Sequence, residues 1–303
     1  MKFTIIGGAG NISKIIVDNL LLGGQQVTTV ARNPKHVEEL VAKGAKAAIG
    51  SVEDVKFLTK AFAGADVVYT MVPPNFAATD WLGWISQQGK NYAEAIKANG
   101  VKYVVNLSSV GAHLSAGAGP ISGLHFVEEA LNALPDVNVL HLRPGFYYQN
   151  LLSNIELAKK MNIIGANFGA ADFTLVMTTP ADIAEVATQE LLLHNFTGHS
   201  VKYIASDERT TDDIAKVLGE SIGKPDLRWV TFGDEDARNA MVTAGLPLEV
   251  AKNYAEMNKG LRTGIVLEEY WKNRPASLQK TKLEDFAKTF AQVYNQDEVP
   301  VHS

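Results

Sequence analysis

Cysteine is absent from all 303 residues. Disulfides, thiolate nucleophiles and cysteine-ligated zinc are therefore excluded, and a cytoplasmic protein is expected. Basic charge is not in excess: 28 Lys and Arg stand against 33 Asp and Glu, for a net charge of −5. Nucleic-acid binding, which needs a basic footprint, is not expected. No run reaches the roughly 18 apolar residues of a membrane helix. The apolar start of the chain is interrupted by Lys14 and Asp18, with no small-residue cleavage pattern after it, so it does not read as a signal peptide. Repeats and low-complexity tracts are also missing. What remains is ordinary globular composition, 46% hydrophobic and 20% charged, enough for one large domain or two interleaved lobes. A metal centre is not expected.

Strands and helices alternate through the first half. Apolar, β-branched runs at Lys2 to Ile6, Gln26 to Ala31, Ala45 to Ile49, Asp66 to Val72, Tyr103 to Leu107 and Val137 to Leu142 read as strands. Helical spacing fills the intervals: from Ile12 onward, Pro34 to Ala42, Glu53 to Ala63, Trp81 to Ala98 and Pro120 to Leu134. Six strands with intervening helices predict an α/β fold, a doubly wound parallel Rossmann sheet. Past Gly145 the pattern loosens into a smaller α/β C-terminal lobe. Residues 1–150 are expected to form the dinucleotide-binding domain, with segments at about 178–206 returning to it. Residues 151–177 and 207–303 are expected to form the lobe that meets a substrate or partner. Val201 to Ala205 reads as a returning strand, and Thr210 to Ile222 as a helix capped by Asp207 or Thr211.

The densest signal is at the start. After the first strand, three glycines fall within four residues (Gly7, Gly8, Gly10), and a helical pattern follows at once. Such a turn lets a pyrophosphate approach the backbone, and the unpaired amides of the helix start hold the anion. Ser13 replaces the usual third glycine. A plain glycine-rich turn is the alternative reading.

The ends of the strands are where a ligand of this architecture lies. The second strand ends Ala31-Arg32-Asn33-Pro34-Lys35, with no Asp or Glu to accept from a ribose hydroxyl. Arg32 suits a 2′-phosphate, which favours NADP(H) over NAD(H); a solvated loop arginine is the alternative. The third ends at Ser51, an adenine contact or a helix cap. The fourth ends Met71-Val72-Pro73-Pro74, a stiff apolar wall, with Phe76, Trp81 and Trp84 following as packing or ligand contacts. The fifth ends Ser108-Ser109, hydroxyls able to bind a carbonyl or ribose, or simply to close a turn. After the sixth, Phe146, Tyr147 and Tyr148, with Phe168, Phe173 and Met177, line a pocket for a flat apolar substrate or pack between lobes.

Taken in order, Gly7-Gly-Ala-Gly-Asn-Ile-Ser13, Ala31-Arg-Asn-Pro34, Asn106-Leu-Ser-Ser109, His125 with Glu129, Leu142-Arg-Pro-Gly-Phe-Tyr147 and Thr179-Pro-Ala-Asp-Ile-Ala184 resemble the NmrA-like family. That family is an atypical branch of the short-chain dehydrogenase/reductase superfamily. The resemblance runs over about residues 1–220. It implies that Gly7, Gly10, Asn11 and Ile12 meet the pyrophosphate. Arg32, Asn33 and Lys35 would border the 2′-phosphate. Met71, Val72, Pro73 and Ser108-Ser109 would flank the nicotinamide half, and Pro144, Gly145 and Phe146 would border it and the cleft.

The family resemblance also exposes a departure. Many members of the superfamily carry Tyr-x-x-x-Lys on the fifth helix, and here Ile121 and His125 occupy those places. His125 would then touch the cofactor ribose or relay a proton, or act structurally with Glu129. Ser109 and Tyr147 complete the catalytic candidates. Two readings follow. One is an NADPH-dependent oxidoreductase acting on a quinone-like or other small electron-poor substrate, apolar or aromatic. The other is a non-catalytic NADP(H)-sensing regulator that binds a protein partner. An epimerase or dehydratase is disfavoured by the missing tyrosine. A monomer or homodimer is expected.

Overall fold

The computed structural model describes residues 1–8, 10–169 and 173–296. Positions 9, 170–172 and 297–303, which fall within the glycine turn and the expected lobe, lie outside the described residues. In chain order the first part runs β1 (Lys2–Ile6), α1 (Ser13–Leu22), β2 (Gln26–Ala31), α2 (Glu38–Ala42), β3 (Lys46–Ile49), α3 (Val55–Ala61), β4 (Val67–Thr70), α4 (Trp81–Asn99), β5 (Tyr103–Leu107), α5 (Pro120–Asn132) and β6 (Asn138–Pro144). Then come β7 (Phe146–Tyr147), α6 (Ile155–Met161), β8 (Ile163–Ala166), β9 (Thr174–Thr178), α7 (Pro180–Leu193), β10 (His199–Ile204), β11 (Asp207–Thr210), α8 (Thr211–Ser221) and β12 (Arg228–Thr231). Four helices finish the described chain: α9 (Asp234–Thr243), α10 (Leu248–Arg262), α11 (Glu268–Lys272) and α12 (Leu283–Tyr294).

The main sheet has seven strands in the order β10-β6-β5-β4-β1-β2-β3. All its pairings are parallel. The chain walks outward from β1 to β3, returns to β4 beside β1, and walks the other way. The reversal opens a crevice at the carboxyl ends of β1 and β4, the usual place for a ligand in such a sheet. The six expected strands are present, and the expected returning strand becomes the seventh, β10, along β6.

Strand composition follows from helices lying on both faces. Val67 to Thr70 of β4 are all buried, as strands covered on both sides require. One face packs Ile16, Val17 and Leu20 of α1 with Ile183 and Leu191 of α7. The other packs Leu58, Ile85, Tyr92, Ile96, Val127 and Leu131 from α3, α4 and α5. A Cβ on Gly89 would stand 2.6 Å from the Val127 Cα, so the absence of a side chain there lets α4 and α5 approach closely. A third core gathers Tyr148, Ile164, Met177, Leu218, Phe286 and Phe290 around the later elements.

Local differences from the sequence reading have local causes. The helix expected from Glu53 starts at Val55, because the Asp54 carboxylate accepts from the amides of Lys56 and Phe57. Helix α8 is capped by Thr210, which accepts from the Asp213 amide. Pro34–Val37 forms a 3-10 turn that leads into a short α2. The small pairings β11–β9, β7–β9 and β12–β8 were not expected. Their strands are short and in part polar, so they carry little periodicity. No helix among the described residues is long and apolar enough to cross a membrane. No cluster of three or more His, Asp or Glu among them could hold a metal ion.

Candidate functional site

Gly7 turns the chain out of β1 with φ +79°, a conformation open to glycine. The Gly7 and Gly8 amides donate to the Val30 carbonyl at 3.1 and 3.3 Å, and the Gly10 amide donates to the Gly7 carbonyl at 2.7 Å. A Cβ at Gly8 would stand 1.6 Å from the Thr29 hydroxyl oxygen, so the turn rests directly on β2. The Ser13 hydroxyl donates to the Ile6 carbonyl at 2.9 Å and is buried. Among the described residues, the Asn11 and Ile12 amides have no backbone acceptor. Gly10 and Asn11 are exposed. Glycines pressed against the sheet, followed by unpaired amides at a helix start, make a cradle that fits a pyrophosphate.

Next to it, Arg32 and Lys35 are exposed at the end of β2. Asn33 holds their loop, its side chain accepting from the Lys35 amide at 3.0 Å. Lys14 and Lys43 are paired with Glu39, whose carboxyl they hold down to about 2. Among the described residues, Arg32 and Lys35 have no acidic partner, which leaves them available to an anion.

Register brings the other expected contacts to one edge. Thr70 lies opposite Asn106, and Leu107 opposite Leu142. Met71 to Pro73, Ser108-Ser109 and Pro144 to Phe146 therefore leave the sheet side by side. Met71 packs beneath the turn: a Cβ on Gly7 would meet its sulfur at 2.7 Å. Its carbonyl accepts from the Tyr92 hydroxyl at 2.8 Å. The Val110 amide donates to the Pro144 carbonyl, and the Gly145 amide to the Ile204 carbonyl, each at 3.0 Å.

The two serines part company here. Ser108 donates to Glu128 Oε1 at 2.5 Å. Glu128 also accepts from Arg143 Nε at 3.0 Å and Nη2 at 2.6 Å, and Arg143 Nη1 donates to the Tyr203 hydroxyl at 3.1 Å. Ser108 thus belongs to a buried ion pair that ties α5 to β6. Ser109 is the half-buried hydroxyl at the edge.

On α5, Ile121 is part of the third core. His125 Nδ1 stands 3.0 Å from the Ala112 carbonyl, to which it donates, and Nε2 stands 3.4 Å from the Glu129 carboxylate. Tyr147 is half-buried, its hydroxyl pushed up to about 12 by burial, so it keeps its proton at neutral pH. Tyr148 is fully buried, stacks on Phe286 at 5.5 Å and donates to the Thr281 carbonyl. Phe168 and Met177 are also core residues, while Phe146 and Phe173 are half-buried beside Phe168.

The family model that describes the NmrA-like family matches residues 1–287. The chain belongs to the NmrA-like family. Among curated relatives, this NmrA-like chain is 23% identical over 268 residues to quinone oxidoreductase 2 of Escherichia coli, covering 88% of this chain and 90% of that one. It is 24% identical over 255 residues to an NAD(P)H azoreductase of Xenophilus azovorans, covering 84% and 85%. Among solved structures, the Escherichia coli NADPH-dependent quinone oxidoreductase complexed with NADPH superposes with TM-score 0.81 at 22% identity, covering 95% of this chain and 99% of that one. NmrA, a negative transcriptional regulator in complex with NAD, superposes with TM-score 0.71 at 14% identity, covering 95% and 94%.

Sequence reasoning missed the Glu128–Arg143 pair of this NmrA-like chain. Arg143 stood in a quoted motif and Glu128 one place before Glu129, but nothing in the spacing linked them to each other or to Ser108. An Arg directly after the apolar run Val137 to Leu142 was the available signal, because a charge at the end of a buried strand needs a partner.

Proposed function

We propose that this chain binds NADP(H) and reduces a quinone-like, electron-poor small molecule. The observation that carries the reading is the cradle of Gly7, Gly8, Gly10, Asn11 and Ile12, beside which Arg32 and Lys35 have no acidic partner among the described residues. The Asn11 and Ile12 amides bind the pyrophosphate, and Arg32 and Lys35 pair with the 2′-phosphate. Met71 to Pro73 and Pro144 to Phe146 hold the nicotinamide half between them and keep water from it. When bound, the cofactor supplies a hydride, and a quinone that takes it up with one proton becomes a hydroquinone. Ser109 and the protonated Tyr147 hydroxyl donate hydrogen bonds toward the acceptor oxygen. Little acid strength is needed, because the reduced oxygens of such an acceptor are stabilised by its own ring. His125 ties the middle of α5 to the Ala112 carbonyl and borders the cofactor ribose. Residues 1–150 with about 178–206 carry the cofactor side, and the remainder the acceptor side, in a cytoplasmic protein. The reductases among the relatives support this reading.

The test has two arms. Arg32→Ala should weaken NADPH binding by about tenfold, the worth of a charge-assisted contact, and leave NADH binding within about twofold. Equal losses for the two cofactors would refute the 2′-phosphate role. In stopped flow, NADPH with a quinone panel should show cofactor oxidation above background. The second reading, a sensor that binds NADP(H) and a protein partner, is favoured by Ile121 in the core and by His125 Nδ1 already donating to the Ala112 carbonyl. It would be supported by NADPH binding without turnover of any acceptor.

A further inference from the structure

The loop leaving β4 runs from the cofactor edge into an aromatic cluster. Met71, which packs beneath Gly7, and Val72 also pack on the core that holds Trp81, Ile85 and Val250. A few residues on, Phe76 meets Trp81, the first residue of α4, edge-on at 5.6 Å. It also meets Tyr254 of α10 at 6.5 Å, and Trp81 and Tyr254 meet at 5.4 Å. Trp81 is 5% exposed and Tyr254 is half-buried, its hydroxyl held above its ordinary range by burial. Phe76 is 43% exposed. The cluster is therefore a ring with an open side set on a rigid aromatic base.

An exposed ring on an aromatic base, next to the cofactor edge along the chain, calls for a flat aromatic ligand. We propose that Phe76, backed by Trp81 and Tyr254, is the stacking platform for the acceptor and selects fused-ring quinones over single-ring ones. The assignment rests on the oxidoreductase reading for which molecule is reduced. On this assignment a fused system offers Phe76 a second ring to pair with, which a single-ring quinone lacks. Offset or edge-on aromatic pairing adds a specific increment to the area covered, so loss of the platform falls on the fused-ring ligand.

The experiment uses the full-length protein saturated with NADP⁺, so that no turnover occurs. Menadione and duroquinone are titrated while tryptophan fluorescence is followed, corrected for quinone absorption. Phe76→Ala keeps all four tryptophans. It should raise the menadione Kd about fivefold, change the duroquinone Kd by less than about twofold, and leave NADPH affinity unaltered. Phe76→Tyr, which keeps the ring, should retain wild-type affinity for menadione. Equal effects on both quinones, no effect on either, or no menadione binding by the wild type would overturn the platform. Menadione binding that depends on Phe76, with no NADPH oxidation by any acceptor, would keep the platform and refute the oxidoreductase reading instead.

Discussion

Ser13 stands where the third glycine of a dinucleotide turn usually lies, and its hydroxyl shows why serine is accommodated. It donates to the Ile6 carbonyl at 2.9 Å in a buried position, fastening the first turn of α1 to the end of β1. A buried neutral hydrogen bond is worth about 1 kcal/mol net, and the carbonyl it leaves unpaired adds to the loss. Ser13→Ala should therefore lower stability by about 1–2 kcal/mol in urea unfolding, with the midpoint shifted and the slope unchanged. Residue-scale features of this kind were legible in the sequence when all partners lay close along the chain. The glycine turn after β1 is one; the Asn33 bond that orders the Arg32–Lys35 loop is as local, but only the structure revealed it. Ser108 was not legible in the same way. Its neighbours suggested a hydroxyl open to ligand, but a carboxylate on the following helix claims it.

At the scale of elements, polar side chains join β4, β5, β6 and α5 in a single buried run. Thr70 donates to Asn106 Oδ1 at 2.9 Å, so the Asn106 amide is turned toward His141 and donates to Nδ1 at 3.1 Å. His141 Nε2 then donates to Asn132 Oδ1 at 2.9 Å. The ring is neutral in this arrangement, since a proton on Nδ1 would face another N–H. Burial, helped by Arg143, outweighs the pull of Glu128 and pushes the His141 pKa down to about 4. The unfolded chain, with an ordinary histidine near 6.5, takes up the proton first as pH falls. This contribution is complete above about pH 6.5 and is lost progressively between about 6.5 and 4, to a total of about 3 kcal/mol. His141→Gln should flatten that part of the stability–pH curve measured by urea unfolding. An unchanged slope would show that another group titrates there. The alternation of strands and helices was plain in the sequence because buried parallel strands are almost wholly apolar. The polar run was hidden, since a histidine in an apolar strand does not announce which strand or helix supplies its partners.

For the whole molecule, the later part of the chain is bound to the main sheet through β10. Past its end, the Ser206 amide donates to the Met177 carbonyl, and the Gln279 amide to the Ala205 carbonyl. The Lys282 ammonium reaches the Ser206 carbonyl at 2.5 Å. Helix α12 then closes the third core, with Phe286 stacked on Tyr148, the neighbour of Tyr147. Phe286→Ala should cost about 3–5 kcal/mol, the usual range for a large buried ring, read from the urea midpoint. NADPH affinity should be retained wherever the variant is folded, because the cradle lies in another core. The sequence by itself determined the parallel sheet, the glycine turn and the basic end of β2, each of which depends on residue type and short-range spacing, while the tyrosine and lysine places on α5 stood out only through the family resemblance. Tertiary structure alone decided that Glu128 takes the Ser108 hydroxyl, that Glu128 and Arg143 are partners, and that Phe76 rests on Trp81 and Tyr254. Those pairings join segments far apart in the chain, and only the packing of α4, α5 and α10 on the sheet brings them within contact distance.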